Sequence, residues 1–181
     1  MDTLVTLKTD RLILRRWRPA DLQPFADINA DPVAMRFMPT TFGVEVSRVL
    51  ITQFEAHFQA HGFGVWAVEA PGVAPFIGFL GLQHVSFDTH FTPAVEIGWR
   101  LAPAHWGKGY ATEGAKEALR FGFEELNLDQ IVSFTVPDNK PSWSVMERTG
   151  MTRDPKDDFD HPRLPEGHPL QRHVLYRMTR P

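Results

Sequence analysis

Cysteine is absent from the 181 residues, which excludes a disulfide framework, a cysteine–zinc site and a cysteine nucleophile. Its absence fits a reducing compartment. Long apolar runs are also missing. The most extended, Phe76 to Leu82, falls far short of the roughly 20 residues a membrane helix requires, so no membrane span is expected. At the start, Asp2, Lys8, Asp10 and Arg11 occupy the place where a signal peptide needs an apolar core, and the chain reads as cytoplasmic. Nor is there an excess of positive charge. The formal net charge is -3, without the basic stripe of a nucleic-acid binder. The five tryptophans therefore read as core and cleft walls rather than as a base-stacking platform. Eight histidines are spread from His57 to His173 without HxH or HExxH spacing, so no metal is expected.

What is present suits one globular domain over residues 1–181, since 43% of residues are hydrophobic and 23% charged. Leu4–Arg16 reads as a strand, although Ile13 spoils the alternation. A short helix follows, with Asp21 as its N-cap and Pro24 in the first turn. A second helix runs over about Val44–His61 between Gly43 and Gly62. Phe63–Ala70 and Pro75–Val85 form a hairpin around Pro71-Gly72, and Ala94–Leu101 is the next strand. Lys108–Leu126 turns helical, with Ala111, Ala115, Ala118, Leu119, Gly122 and Leu126 as its apolar stripe. Gln130–Val136 is a strand and Lys140–Thr149 a helix. Met151–Phe159 and His173–Thr179 are the last strands, separated by a polar, proline-rich loop. This order of elements calls for an α/β (α+β) architecture, one mixed sheet flanked by helices.

The most informative stretch is Val95–Gly114, in which a strand runs through a loop into a helix. Gly107 and Gly109 bracket Lys108 where the helix starts. A helix start offers unpaired N–H groups and the positive end of the peptide dipole, and glycine lets a phosphate approach that backbone. By itself the pair also fits a plain strand-to-helix turn. It is neither a Rossmann nor a Walker pattern. Glu96 stands in the preceding strand, with Val95, Ile97, Trp99 and Leu101 on the opposite face. Asn139, Ser142 and the run VMERTGM follow the next strand.

With these segments in this order, the sequence resembles the GNAT superfamily of N-acetyltransferases, in particular the branch of ribosomal-protein N-terminal acetyltransferases. The resemblance runs from TDRLILR to HVLYRM. It implies a mostly antiparallel mixed sheet of the acyl-CoA N-acyltransferase type, with acetyl-CoA as co-substrate. The family's pyrophosphate loop matches Trp106, Gly107, Lys108, Gly109, Tyr110 and Ala111, where Trp106 departs from the usual Gln or Arg. By the same resemblance Asn139 bonds the pantetheine arm and Ser142 lies near the sulfur. The family's homodimers carry over as an expectation.

Transfer to an amine requires loss of an ammonium proton, a donor for the oxyanion and a donor for the departing thiolate. Similar enzymes place a glutamate on this strand, acting directly or through water, which makes Glu96 the base candidate. Its alternative is a structural carboxylate partnered with Arg100. His84, Asp88, His90 and His105 are rivals. Many relatives protonate the thiolate with a tyrosine, but neither Tyr110 nor Tyr176 falls at that place, which leaves Ser142. Asn139 and Ser142 also fit a simple helix N-cap and first turn. The loop Asp154–Gln171 is long and proline-stiffened, and it carries carboxylates suited to a cationic amine. Asp160, His161 and Glu166, together with His84, are its expected acceptor contacts. A rigid surface loop or a dimer contact is the alternative. The expected function is acetyl transfer to a primary amine of a small molecule or protein N-terminus. The competing reading is a catalytically silent CoA-binding regulatory module.

Overall fold

The computed structural model describes residues 5–180. The first expected strand is in fact two. β1 (Leu7–Lys8) and β2 (Ile13–Arg15) pair antiparallel, with Leu7 opposite Leu14. Leu4 lies outside the described residues. The chain reverses because Thr9 N–H donates to Leu12 O at 3.0 Å and Leu12 N–H returns to Thr9 Oγ1 at 2.9 Å. A side-chain hydroxyl here competes with the extended ladder.

A 3-10 turn leads into α1 (Leu22–Ala30), and α2 (Val44–His61) ends on Gly62 in the left-handed region, φ 77°. The hairpin of β3 (Val65–Ala70) and β4 (Ala74–His84) turns as expected. β5 (Val95–Leu101), α3 (Tyr110–Glu124), β6 (Gln130–Thr135) and α4 (Lys140–Arg148) follow. The strand expected over Met151–Phe159 is interrupted. It becomes β7 (Thr152–Arg153), a 3-10 turn at Pro155–Asp157, and β8 (Phe159–Asp160). Pro155 has no N–H for a ladder, and Asp154 accepts from Lys156 N–H at 3.0 Å to close the turn. β9 (Arg172–Thr179) is long and receives β6, β7 and β8.

The strand order is β1-β2-β3-β4-β5-β6-β9-β7, antiparallel throughout except where β5 meets β6. One face of the sheet carries α3 and α4, with Met146 of α4 in the same core as Leu80, Leu82, Ile97 and Ile131. The expected stripe of α3 supplies Ala115, Ala118, Leu119 and Gly122 to this core. Gly122 lets α3 sit close to the sheet, since a Cβ would lie 2.6 Å from Ile131 Cδ1 and push that methyl aside. The other face carries α1 and α2, whose Phe25 and Phe54 cluster with Val65, Ala67 and Phe76 of the sheet. A third cluster joins Phe91, Val132, Phe159 and Leu175.

Asp21 sits at the N-cap position of α1 but makes no side-chain cap bond. Its carboxylate instead pairs with the Arg15 guanidinium at 2.8 and 3.0 Å and accepts from Arg18 N–H at 2.7 Å. Arg15 also reaches Glu69 at 2.8 Å and Pro75 O at 2.7 Å, so a buried ionic knot ties the helix start to β2 and β3. Among the described residues, no helix is long and apolar enough to cross a membrane.

Candidate active site

β5 and β6 run parallel but share a single paired position, Glu96 with Val132. Ser133 Oγ donates to Ile97 O at 2.8 Å just beyond it. Past that bond the strands part. The peptide groups of alternate residues in a strand point to the same edge. With Ile97 O directed to β6, Trp99 also turns its N–H toward the opening. Leu101 O, two residues on, accepts Trp106 Nε1 at 2.7 Å. The result is a wedge with Glu96 near its apex and the start of α3 at its mouth.

At the mouth, Gly107 and Gly109 both have positive φ, 72° and 80°. The first helical bond of α3 is Glu113 N–H to Gly109 O at 3.0 Å. Among the described residues, no protein acceptor meets the N–H groups of residues 107–112, so they form an array of donors around the helix start. The Trp106 ring, 42% exposed, is hooked back onto the end of β5. Its side chain serves the strand, and the departure from the family's usual residue leaves the backbone donors intact. Lys108 is exposed, and its carbonyl accepts from Arg11 Nη1 at 2.9 Å. Tyr110 is buried beneath the Arg11 guanidinium, 4.8 Å from its ring centroid. Ala111 lies in the first turn of the helix.

Arg11 and Glu113 are site-shaping residues that the sequence reading passed over. Glu113 accepts from Thr9 Oγ1 at 2.6 Å, Arg11 N–H at 2.9 Å and Arg11 Nε at 2.6 Å. Burial opposes ionisation of Glu113, but these donors and the Arg11 charge hold its carboxyl below the ordinary value. The β1–β2 turn is thereby strapped to the loop.

Glu96 lies half-buried, with its carboxyl deep in protein. Its partner is Gln83, whose Nε2 donates to Oε1 at 2.6 Å. Arg100, the partner considered from sequence, turns elsewhere. It donates to Asn29 Oδ1 at 2.7 Å and lies over Phe79. Desolvation pushes Glu96 up to about 7, against the hydrogen bond from Gln83 and the positive charge of Arg163. A carboxylate so placed exchanges its proton at neutral pH.

Asn139 takes the N-cap position of α4 without a side-chain cap bond. Its Nδ2 donates to Thr135 Oγ1 at 2.9 Å, and its backbone carbonyl accepts from Ser142 and Trp143. Among the described residues, Asn139 Oδ1 meets no donor, and Ser142, in the first turn, makes no side-chain bond. Tyr176 is tied to Glu147 at 3.0 Å beside α4.

On the Glu96 face, Phe134 lies two residues beyond Val132 on β6. Around it gather Phe87, Phe159, His161 and His173, with His161 4.5 Å from the Phe87 centroid and 5.0 Å from that of His173. Burial, with His173 and Arg163 nearby, lowers His161 to about 4. Arg163 is fixed to Ser86 O and Oγ at 2.8 Å and lies over Phe87. His161 thus borders the Glu96 face. Asp160 turns outward to Arg172 at 3.3 Å, and Glu166 is exposed in the following turn. His84 is one residue beyond Gln83 and so faces away from Glu96, into a cluster with His57 and His61. Among the remaining rivals, His105 ends a 3-10 turn by the glycine loop, and His90 faces Asp157 at 3.8 Å.

Residues 11–152 match the family described as an acetyltransferase (GNAT) domain. An uncharacterized N-acetyltransferase, p20 of Bacillus licheniformis, is 30% identical over 159 residues, covering 82% of this chain and 86% of its own. FsC-acetyl coenzyme A-N(2)-transacetylase of Aspergillus fumigatus is 38% identical over 130 residues, 66% of this chain and 51% of its own. Among solved structures, an acetyltransferase from Agrobacterium tumefaciens superposes with a TM-score of 0.79 at 30% identity, covering 97% of this chain and 95% of that one. RimJ of Mycobacterium smegmatis, in complex with CoA-disulfide, shares the fold at a TM-score of 0.76 and 19% identity, over 98% and 88% of the two chains. The wedge between β5 and β6, the donor array at α3 and these likenesses converge: the chain belongs to the GNAT family and is an acetyl-CoA-dependent N-acetyltransferase.

Proposed function

We propose that acetyl-CoA lies in the wedge between β5 and β6, its pyrophosphate on the N–H groups of residues 107–112 and its thioester near Glu96. The acceptor is a primary amine of a small molecule or a protein N-terminus, approaching from the face that bears Glu96. The observation that carries this reading is the parting of two parallel strands directly after Glu96 and Val132. It leaves unpaired backbone groups leading from a neutral-range carboxyl to a phosphate-suited helix start.

In this mechanism Glu96 takes a proton from the ammonium, directly or through water, and passes it to solvent. The nitrogen then attacks the thioester carbonyl carbon, and the C=O electrons move to oxygen. Trp99 N–H is the donor placed to meet that oxyanion. As the tetrahedral species collapses, the C–S bond breaks. Ser142 Oγ, without a side-chain partner among the described residues, offers the thiolate a hydrogen bond, and the second ammonium proton ends on the CoA thiol. Asn139 Oδ1 accepts from an amide of the pantetheine arm. His161 and the rings around it form the acceptor wall, with Asp160 and Glu166 at its rim as attraction for a cation.

Thiol release from acetyl-CoA, measured against polyamines, amino acids, aminoglycosides and short peptides, tests this reading. The name of the Aspergillus relative specifies an N(2) position, which puts small-molecule amines first in the panel. Amine-dependent release is expected. Tight acetyl-CoA binding with no release for any amine would favour the silent binding module.

A further inference from the structure

Beside the end of β4, three imidazoles converge where α2 ends. His57 and His61 are one helical turn apart, and His84 reaches them from the end of β4. Ring centroids are 4.5 Å apart for His57–His61, 5.2 Å for His57–His84 and 4.5 Å for His61–His84. One ring nitrogen from each lies within 4.8 Å of the other two, and His57 Nε2 is 3.1 Å from His84 Nδ1.

The orientation of His57 is set from behind. Its Nδ1 lies 2.7 Å from Phe63 O, and a carbonyl only accepts, so Nδ1 carries the hydrogen. Nε2 then carries the lone pair, which accepts from His84 N–H at 3.1 Å beside His84 Nδ1, a contact that a bound metal ion would replace. A backbone carbonyl that fixes the tautomer of a ligating histidine is the usual outer support of a metal site. The Phe63 ring packs against His57 and His84 at 5.0 and 5.4 Å, walling one side with apolar surface. His61 and His84 are exposed, which leaves an entry path. No carboxylate pairs with any of the three among the described residues.

We propose that His57, His61 and His84 bind one divalent transition-metal ion, with zinc as the reference case, and clamp the last turn of α2 to the end of β4. Tetrahedral zinc with bonds of about 2.0–2.1 Å places nitrogen pairs roughly 3.3 Å apart. The His57–His84 pair already meets that spacing, and rotation of the exposed His61 ring closes the rest. Three imidazoles select zinc, nickel or copper over magnesium and calcium, and leave a fourth position for water. The negative end of the α2 dipole adds a small attraction for the cation.

The test is calorimetric titration of tag-free full chain with zinc sulfate, with magnesium as control, on wild type, His61→Ala, His84→Ala and the double variant that combines them. Both variants alter exposed side chains and spare the His57–Phe63 bond. The expected result is one zinc per chain, at least tenfold weaker binding in each variant, and no magnesium binding. Cobalt should give the intense visible bands of a tetrahedral complex in wild type only. Saturating zinc at about a hundredfold over Kd should raise the wild-type Tm by roughly 5–10 °C, and that of the double variant by little. Absence of zinc binding, or zinc affinity unchanged in the double variant, overturns the proposal.

Discussion

Replacing Glu96 with Gln keeps the hydrogen bond from Gln83 to Oε1 and removes the proton acceptor. The exchange is nearly isosteric, so two consequences can be read separately. The first is kinetic. Losing a general base costs about 10²- to 10⁴-fold, or about 3–5 kcal/mol in the barrier. In wild type, kcat/KM should fall below an inflection near pH 7, where Glu96 gains its proton. The acceptor's own ammonium contributes a second limb, near pH 10 for a lysine-like amine. Glu96→Gln should abolish the lower limb, retain the upper one and leave acetyl-CoA affinity within about twofold. The second consequence is on stability. Burial raises the folded-state value from 4.5 to about 7, so the folded chain holds this proton more tightly than the unfolded chain. Stability from this group is therefore fully present below about pH 4.5 and lost as pH rises through 7. At 1.36 kcal/mol per unit, and allowing for partial contact with water, ionisation costs roughly 2–3 kcal/mol at pH 8. Glu96→Gln should be more stable than wild type at pH 8 and equal to it near pH 4.5, by urea denaturation at each pH. Wild-type turnover with an unchanged limb near pH 7 would refute the base assignment. A stability difference independent of pH would refute the burial argument.

Arg163→Ala removes a positive charge that favours ionised Glu96, so the acidic limb should move to higher pH, read in the same rate profile. Gly109→Val forces a branched residue to φ 80° and brings Cβ to 3.3 Å from Arg11 Nη2; CoA affinity by calorimetry should drop at least tenfold in a folded variant. Asn139→Ala should raise the acetyl-CoA KM severalfold and cost no more than about 1 kcal/mol in stability, because the side chain bonds Thr135 and caps nothing. Asp21→Ala leaves the buried Arg15 guanidinium with Glu69 and Pro75 O as its remaining partners and should destabilise by about 1.5–3 kcal/mol in urea melts.

The division between local and tertiary information runs through particular residues. The strand, glycine loop and helix of Val95–Gly114 were legible because they depend on neighbours in sequence: period-2 alternation, left-handed glycines and a helix stripe. The same holds for the end of α2 at Gly62 and the hairpin around Pro71-Gly72. The first strand was misread where a single hydroxyl, Thr9 Oγ1, outcompeted the ladder, and the strand after Met151 where Pro155 broke it. Asp21 was legible as a helix-start residue, but its buried pairing with Arg15 depends on β2 and β3 arriving beside it.

The sequence by itself determined the family, the donor loop and the strand that carries Glu96. Tertiary structure alone decided the burial that raises the Glu96 proton affinity and the partner that opposes the rise. Gln83 and Glu96 meet through the register of β4 and β5, across a connection too long to specify that register. It also decided that Arg11 and Glu113, 102 residues apart, brace the donor loop. And it sent His84 away from Glu96 to join the His57–His61 pair, which carried no metal signature in the sequence. Spacing along a chain reports only contacts within one element. Electrostatics and ligand geometry depend on distances that sheet register and helix docking create.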